Sequence, residues 1–275
     1  MLRSLYSGVS GMRGFQTKLD VIGNNIANVN TVGFKAGRVM FKDILSQTIA
    51  GVTAPTDTAG GVNPKQVGLG VTIGAIDTIH TPGSAMTTNV PTDLRIDGDG
   101  FFVISPTADV ETAYLTRDGS FKIDAARNLV TQDGMFVLSV DGDIITLDED
   151  ITAFTISQDG MILAINADGT MEETGYQIGV ARVTNPGGLE KIGGNLYRFT
   201  PNADIEGESA LDLIFAPNDA EAGTGAIIAG QLEMSNVDLT AEFTEMIVAQ
   251  RGFQANSRII TTSDEVLQEV VNLKR

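Results

Sequence analysis

Apolar residues return every seven positions at both ends of this 275-residue chain. Leu5, Met12, Leu19 and Ile26 mark the first series, with Val9 and Ile22 supplying the three-or-four spacing between them. Leu239, Met246, Phe253, Ile260 and Leu267 mark the second, flanked by Phe243, Ile247, Val270 and Val271. That period lines one face of a helix and does not match the alternation of a strand. Two heptad-bearing helices therefore bracket whatever lies between them. Asp238 or Thr240 can cap the second helix, Glu242 and Glu245 suit its positive end, and Lys274 and Arg275 its negative end. The first helix is expected to end between Asn24 and Gly33.

Glycine argues against an ordinary helical hairpin. Gly8, Gly11, Gly14 and Gly23 fall inside the first helix and Gly252 inside the second. Each costs ~1 kcal/mol relative to alanine. A two-helix pair also covers one stripe per helix, which leaves Val21, Val248 and Ile259 bare. Small residues three apart, however, let backbones approach closely in a crowded multi-helix wall. The expectation is a pair of helices, 1–34 with 236–275, that meet as a coiled-coil-like inner domain and become ordered on assembly.

The middle of the chain follows another rule. Between residues 97 and 169, Asp-Gly occurs seven times, separating short runs rich in β-branched and aromatic residues. Examples are Phe101 to Ile104, Met135 to Val140 and Met161 to Ile165. Asp-Gly between apolar runs signals hairpins, so residues 93–200 are expected to form a mainly antiparallel β domain and the whole chain to be α+β. Residues 35–92 and 201–235, irregular and dotted with proline, read as an extended connector between that domain and the helices.

Charge divides the chain in the same way. Residues 1–45 carry six Lys or Arg against two Asp or Glu, residues 46–235 eight against 27, and residues 236–275 four against six. A net charge of −17 disfavours a nucleic-acid partner, because phosphate binding draws on Lys and Arg. No run of ~18 apolar residues exists to insert in a membrane, and the first 16 residues have no apolar core of the kind a cleaved signal carries. Any export would therefore need another route. The absence of cysteine excludes thiolate metal sites and disulfides, and one histidine leaves little for metal or catalysis.

Candidate chemistry is correspondingly thin. Asp97-Gly98-Asp99-Gly100 opens like a calcium loop but continues with Phe101 and Phe102 where a ligand and a glycine belong. Asp141, Asp143, Asp148 and Asp150 read as a solvated acidic turn. His80 lacks a Gly-x-Ser-x-Gly partner, and Gly68-Leu69-Gly70-Val71-Thr72-Ile73-Gly74 misses dinucleotide spacing by one residue. A carbohydrate-active β domain using Asp97 and Asp99 is a rival reading, as is an adhesin joined by a coiled coil. The reading adopted has no catalytic, metal or cofactor residues.

Three blocks carry a family resemblance. Ala27-Asn28-Val29-Asn30-Thr31-Val32-Gly33-Phe34-Lys35 follows the first heptads. Asp97-Gly98-Asp99-Gly100-Phe101-Phe102, with Thr116-Arg117-Asp118-Gly119-Ser120-Phe121, opens the β region. Ser235-Asn236-Val237-Asp238-Leu239 precedes Ala249-Gln250-Arg251-Gly252-Phe253-Gln254-Ala255-Asn256. Together they resemble the bacterial flagellar rod and hook family. The resemblance implies a non-enzymatic axial protein, exported by the flagellar type III apparatus and polymerised into a helical tube whose inner wall is made from both terminal helices. Implied partners are further copies of itself, other axial proteins (rod, hook cap and hook-filament junction) and the export apparatus. The short length, Phe41 to Ile49 and the Thr240 to Gln254 block look most like a short-form hook protein, with the distal rod protein as the alternative. Leu5, Val9, Met12, Leu19, Ile22 and Ile26 with Leu239, Phe243, Met246, Phe253, Ile260 and Leu267 are the expected assembly interface. Ala27, Asn28, Thr31, Gly33, Phe34 and Lys35 form the family signature.

Overall fold

The structure is a computed structural model that describes residues 2–55, 60–107, 112–148, 151–166, 170–204, 209–220 and 222–273. The fold is α+β, with one long helix near each end and antiparallel strands between. Two compact units emerge, one of Met1–Ala27, Gly37–Thr78 and Asp238–Arg275, the other of Asn28–Ala36 and Ile79–Val237. The stretches read as connector are thus shared out: residues 37–78 sit with the helices, while 79–92 and 201–235 sit with the β unit.

In the first unit, helix α1 (Leu2–Ala27) and helix α2 (Leu239–Leu273) lie side by side in opposite directions. Their contacts run from Ser4 against Ser263 to Asn25 against Glu242. Asp238 caps α2, its carboxylate accepting from Thr240 N at 2.8 Å and Ala241 N at 3.3 Å. The glycines explain how the helices meet. A side chain at Gly8 would press on Ile260, one at Gly11 on Asn256, and one at Gly252 would stand 2.5 Å from the Phe15 ring. Gly14 instead makes room for Phe41, whose ring also packs on Phe15 with centroids 5.7 Å apart. Gly23 meets nothing nearby. Four of the five helix-weakening residues are therefore repaid by close approach.

Between the helices in sequence runs a long two-stranded ribbon. Strand β1 (Gly37–Asp43) pairs with β4 (Val71–Thr78), and β2 (Ser46–Ala50) with β3 (Lys65–Gly68). Bonds from Ile44 N to Gly70 O and from Leu69 N to Leu45 O join the two ladders, and a bridge between Thr53 and Val62 extends them. A ribbon of two strands is marginal alone, and this one is fixed at its base by Asn25. The Asn25 amide donates to Gly37 O at 2.8 Å and accepts from Gly37 N at 2.9 Å, imitating a strand partner.

The second unit is built around Phe101–Ser105, a strand buried on both faces. Phe102 and Ile104 point into one core with Ile96, Phe121, Leu129, Val137 and Ile178. Phe101 and Val103 point into a second core with Leu115, Leu138, Ala181 and Tyr197. Burial on both sides explains why this run reads as continuously apolar rather than alternating. Asp-Gly turns do join neighbouring strands at Asp133-Gly134 and Asp159-Gly160, and Gly134 and Gly160 take positive φ there. Asp97-Gly98-Asp99-Gly100 does otherwise. Leu94–Asp97 pairs with Ala226–Ala229, so this double turn passes the chain from one sheet to another rather than closing a hairpin. Asp168-Gly169 and Asp150 fall outside the described residues.

Gly252→Val is expected to prise α1 from α2. Amides of α1 should then exchange faster, while those of the Phe101–Ser105 strand keep the parent's protection; uniform exchange across both would contradict the glycine contact.

Candidate functional site

Each helix of the first unit has more apolar surface than its partner covers. On α2 the line Met246, Ala249, Gly252, Asn256, Ile260, Ser263 and Leu267 is buried or half-buried, spaced at three and four as one helical face. Apolar residues on both sides of that face stay bare: Leu239, Phe243 and Ile247 on one flank and Val248, Ile259, Val266 and Val270 on the other are exposed, Ile247 by 59%. On α1, Ile22 is buried, Leu5, Met12, Leu19 and Ile26 are half-buried, and Val9 is exposed. The twelve residues expected to form one interface thus fall into two groups. Met246, Ile260 and Leu267 are half-buried, Ile260 against Gly8 of α1, whereas Leu239, Phe243, Phe253 and Val9 open to solvent. The ribbon adds exposed Met40, Phe41, Ile44, Leu45 and Ile49. So many exposed large apolar side chains on one unit mark an interaction site rather than a solvated face. Around it, Lys18 pairs with Glu245 at 2.5 Å, and partial burial raises the Glu242 carboxyl against the opposing hydrogen bond from Asn25.

The signature residues have another task. Asn28 and Thr31 shape the turn after α1, where Thr31 Oγ1 donates to Asn28 Oδ1 at 3.1 Å. Gly33 takes φ of +68° and its N–H donates to Glu233 O at 2.8 Å. A Cβ there would stand 2.7 Å from Asp118 N, so glycine is required twice over. Phe34 is buried beneath the Lys191 ammonium, 4.8 Å above its ring. Ala27 ends α1 and is exposed.

Lys35 carries the largest energetic consequence. Its Nζ donates to Glu233 Oε1 at 2.6 Å and to Thr81 O at 2.9 Å, with both charged side chains 1% exposed. Glu233 also accepts from Arg117 Nη1 at 3.3 Å and from Gly83 N at 2.9 Å. Arg117 reaches Gly98 O at 3.0 Å with its other arm. Asn236 completes the join, accepting from Ala36 N and donating to Ile79 O, each at 2.8 Å. Two cations therefore share one carboxylate in the interior. Burial lowers the Lys35 and Arg117 pKa values, and Glu233 opposes both shifts. In the sequence, Arg117 and Asn236 stand inside motif blocks with no readable task, and Glu233 and Asn25 do not stand out at all. Buried charge leaves no periodic trace; the one available signal is their place inside or beside those blocks.

His80 lies against Phe101 and Tyr197, with ring centroids 5.8 and 5.6 Å away. Its Nδ1 makes no hydrogen bond, so no carboxylate orients the ring as a general base requires. Burial, then Lys35, Lys191 and Arg117, push its pKa down from 6.5 to about 4. The unfolded chain therefore holds more protons than the folded one between those values, and stability falls as pH drops through that window. His80→Gln should lose less stability than the parent between pH 7 and pH 4, read by denaturant midpoints. Glu233→Gln, which strands two buried cations, should cost about 3–5 kcal/mol in denaturant unfolding, with part regained on adding Lys35→Met.

Comparison with known proteins bears on all these residues. Three family profiles match: "Flagella basal body rod protein" over residues 5–35, "Flagellar hook protein FlgE/F/G D1 domain" over 95–164, and "Flagellar basal body rod FlgEFG protein C-terminal" over 228–273. The flagellar basal-body rod protein FlgG of Bacillus subtilis is 56% identical over 275 residues, covering 100% of both chains. FlgG of Borreliella burgdorferi is 42% identical over 280 residues, again covering 100% of both. The flagellar hook protein FlgE of the same Borreliella is 30% identical, covering 100% of both chains, in an alignment stretched to 455 positions. These relatives are structural proteins, not enzymes. The chain belongs to the flagellar rod and hook family, FlgE/F/G, and is an axial structural protein of the bacterial flagellum.

Proposed function

We propose that this chain is a rod subunit, in the distal part of the flagellar basal body, which polymerises with copies of itself into a straight tube. This reverses the preference for a hook protein drawn from length and from the Phe41 to Ile49 and Thr240 to Gln254 segments. Rod relatives align with the chain nearly residue for residue, whereas the hook relative needs 455 positions to accommodate 275 residues. Hook subunits must slide as a curved tube turns; rod subunits must stay locked in a shaft.

The observation that carries the assembly reading is the uncovered apolar surface on both flanks of α2. Its partner α1 is already placed, so Phe243, Ile247, Val248 and Ile259 await cover from outside the chain. Each side chain so buried is worth ~1.5–3 kcal/mol, which offsets the glycine penalties once neighbours surround both helices. Helices packed in this way around an axis give a coiled-coil-like inner wall built from α1 and α2 of many copies. A head-to-tail contact that does not close on itself yields an open helical polymer. Export as an unfolded chain, and contact with hook and junction proteins, fit the same reading.

Two experiments test it. Electron microscopy of polymer grown from purified protein should show straight tubes, and curved tubes would return the assignment to the hook. Ile247→Asp should fold like the parent, with the same far-ultraviolet circular dichroism, yet remain monomeric; normal tubes from it would remove that flank from the interface.

A further inference from the structure

Helix α2 outruns the helix it lies against. Ser263 meets Ser4, Ile260 meets Gly8, and Gly252 meets Phe15. Continued in register, those pairings bring the Leu2 end of α1 level with Glu265. Among the described residues of α1, nothing stands opposite Val266–Leu273. These last two turns are correspondingly bare, with Val266, Val270 and Leu273 46%, 50% and 86% exposed. At 3.6 residues per turn, Glu265 and Glu269 fall on the same arc as those three apolar residues. The projecting end is therefore an apolar ridge edged by two carboxylates. Lys274 and Arg275 follow it, outside the described residues.

The same unit has a complementary surface. Beside α1 lies a groove of about 370 Å³ lined by Tyr6, Val9, Arg13, Ile44, Val71 and Ile73. Its apolar walls are open, with Tyr6 73% exposed. Its charge is positive: the first 17 residues hold Arg3 and Arg13 and no acid. Arg3 stands one helical turn before Tyr6, and Arg13 one turn past Val9. The groove cannot be filled by the α2 end of its own chain, because that end runs past Leu2 and away from residues 6–14. Ridge and groove match in polarity and charge but belong to opposite ends of a contact. This arrangement links successive copies head to tail.

We propose that the groove of one copy receives residues 265–273 of α2 from the next, with Val266, Val270 and Leu273 against Tyr6, Val9 and Ile73, and Glu265 and Glu269 against Arg3 and Arg13. The inference rests on the self-assembly reading and names the two surfaces that would do the assembling. Occupation by another axial protein is the competing outcome.

Charge reversal separates these outcomes. Arg13→Glu and Glu269→Arg each set like charges together, and each should raise the critical concentration for polymerisation at least about tenfold, measured by sedimentation of purified protein. Both residues are exposed, and circular dichroism should confirm that the variants fold as the parent does. Mixing the two variants should restore polymer, because the reversed groove of one then meets the reversed ridge of the other, and their unaltered surfaces still match. The double variant in one chain should polymerise as well. Polymerisation of either single variant at the parent's critical concentration overturns the proposal. So does a mixture that stays monomeric while the double variant assembles, since that would place the pair within one chain. A parent that never assembles alone would instead sink the self-assembly reading and point to another axial protein as the occupant.

Discussion

The close approach of α1 and α2 at Gly252 and Phe15 is the contact on which the helical unit depends. A glycine in mid-helix costs about 1 kcal/mol, and α1 contains four. The cost is recovered only where the missing Cβ lets another group in: Ile260 at Gly8, Asn256 at Gly11, Phe41 at Gly14 and Phe15 at Gly252. Glycine and short polar residues, with Phe15 and Ile260, make the closest contacts of the seam. The larger side chains of both heptad series are left half-covered or bare. The geometry that joins two helices within the chain is the same geometry that leaves it with surface for its neighbours.

A different interaction organises the β unit. Lys35, Arg117, Glu233 and Asn236 tie the stretch after α1 to the stretch before α2, although almost 200 positions separate Lys35 from Glu233 in the sequence. A buried pair of this kind is seldom a net source of stability against an apolar replacement, but it is intolerant of losing one partner. Its value lies in register. Only one alignment of residues 33–36 with 233–236 satisfies the Gly33, Lys35 and Ala36 bonds at once. A slip by one residue would bury unpaired charge.

Legibility in the sequence followed the periodicity of each feature. Both helices, the cap at Asp238, the hairpins at Asp133 and Asp159 and the antiparallel character of the middle could be read from spacing and turn chemistry, which act within a few residues. The family could be read from three motif blocks. The ribbon of Gly37–Thr78 was harder. Most residues of its strands are exposed, so no alternation of apolar and polar positions marks them, and bulges at Met40 and Thr48 disturb what remains. The Asp97 to Gly100 double turn shows the converse, a strong local signal whose strands find partners elsewhere.

The amino-acid order by itself determined the two helices and the antiparallel character of the middle, that no recognisable catalytic motif is present, and that the ends carry more apolar surface than two helices can hide. Those properties are set by near neighbours and by composition. Only the tertiary structure decided which heptad residues face inward and which stay bare, that the signature lysine is a buried counter-charge rather than an interface contact, and how far α2 projects beyond α1. Each of these depends on how residues distant in the chain meet in register, and a pairing of that range has no local energy from which it could be read.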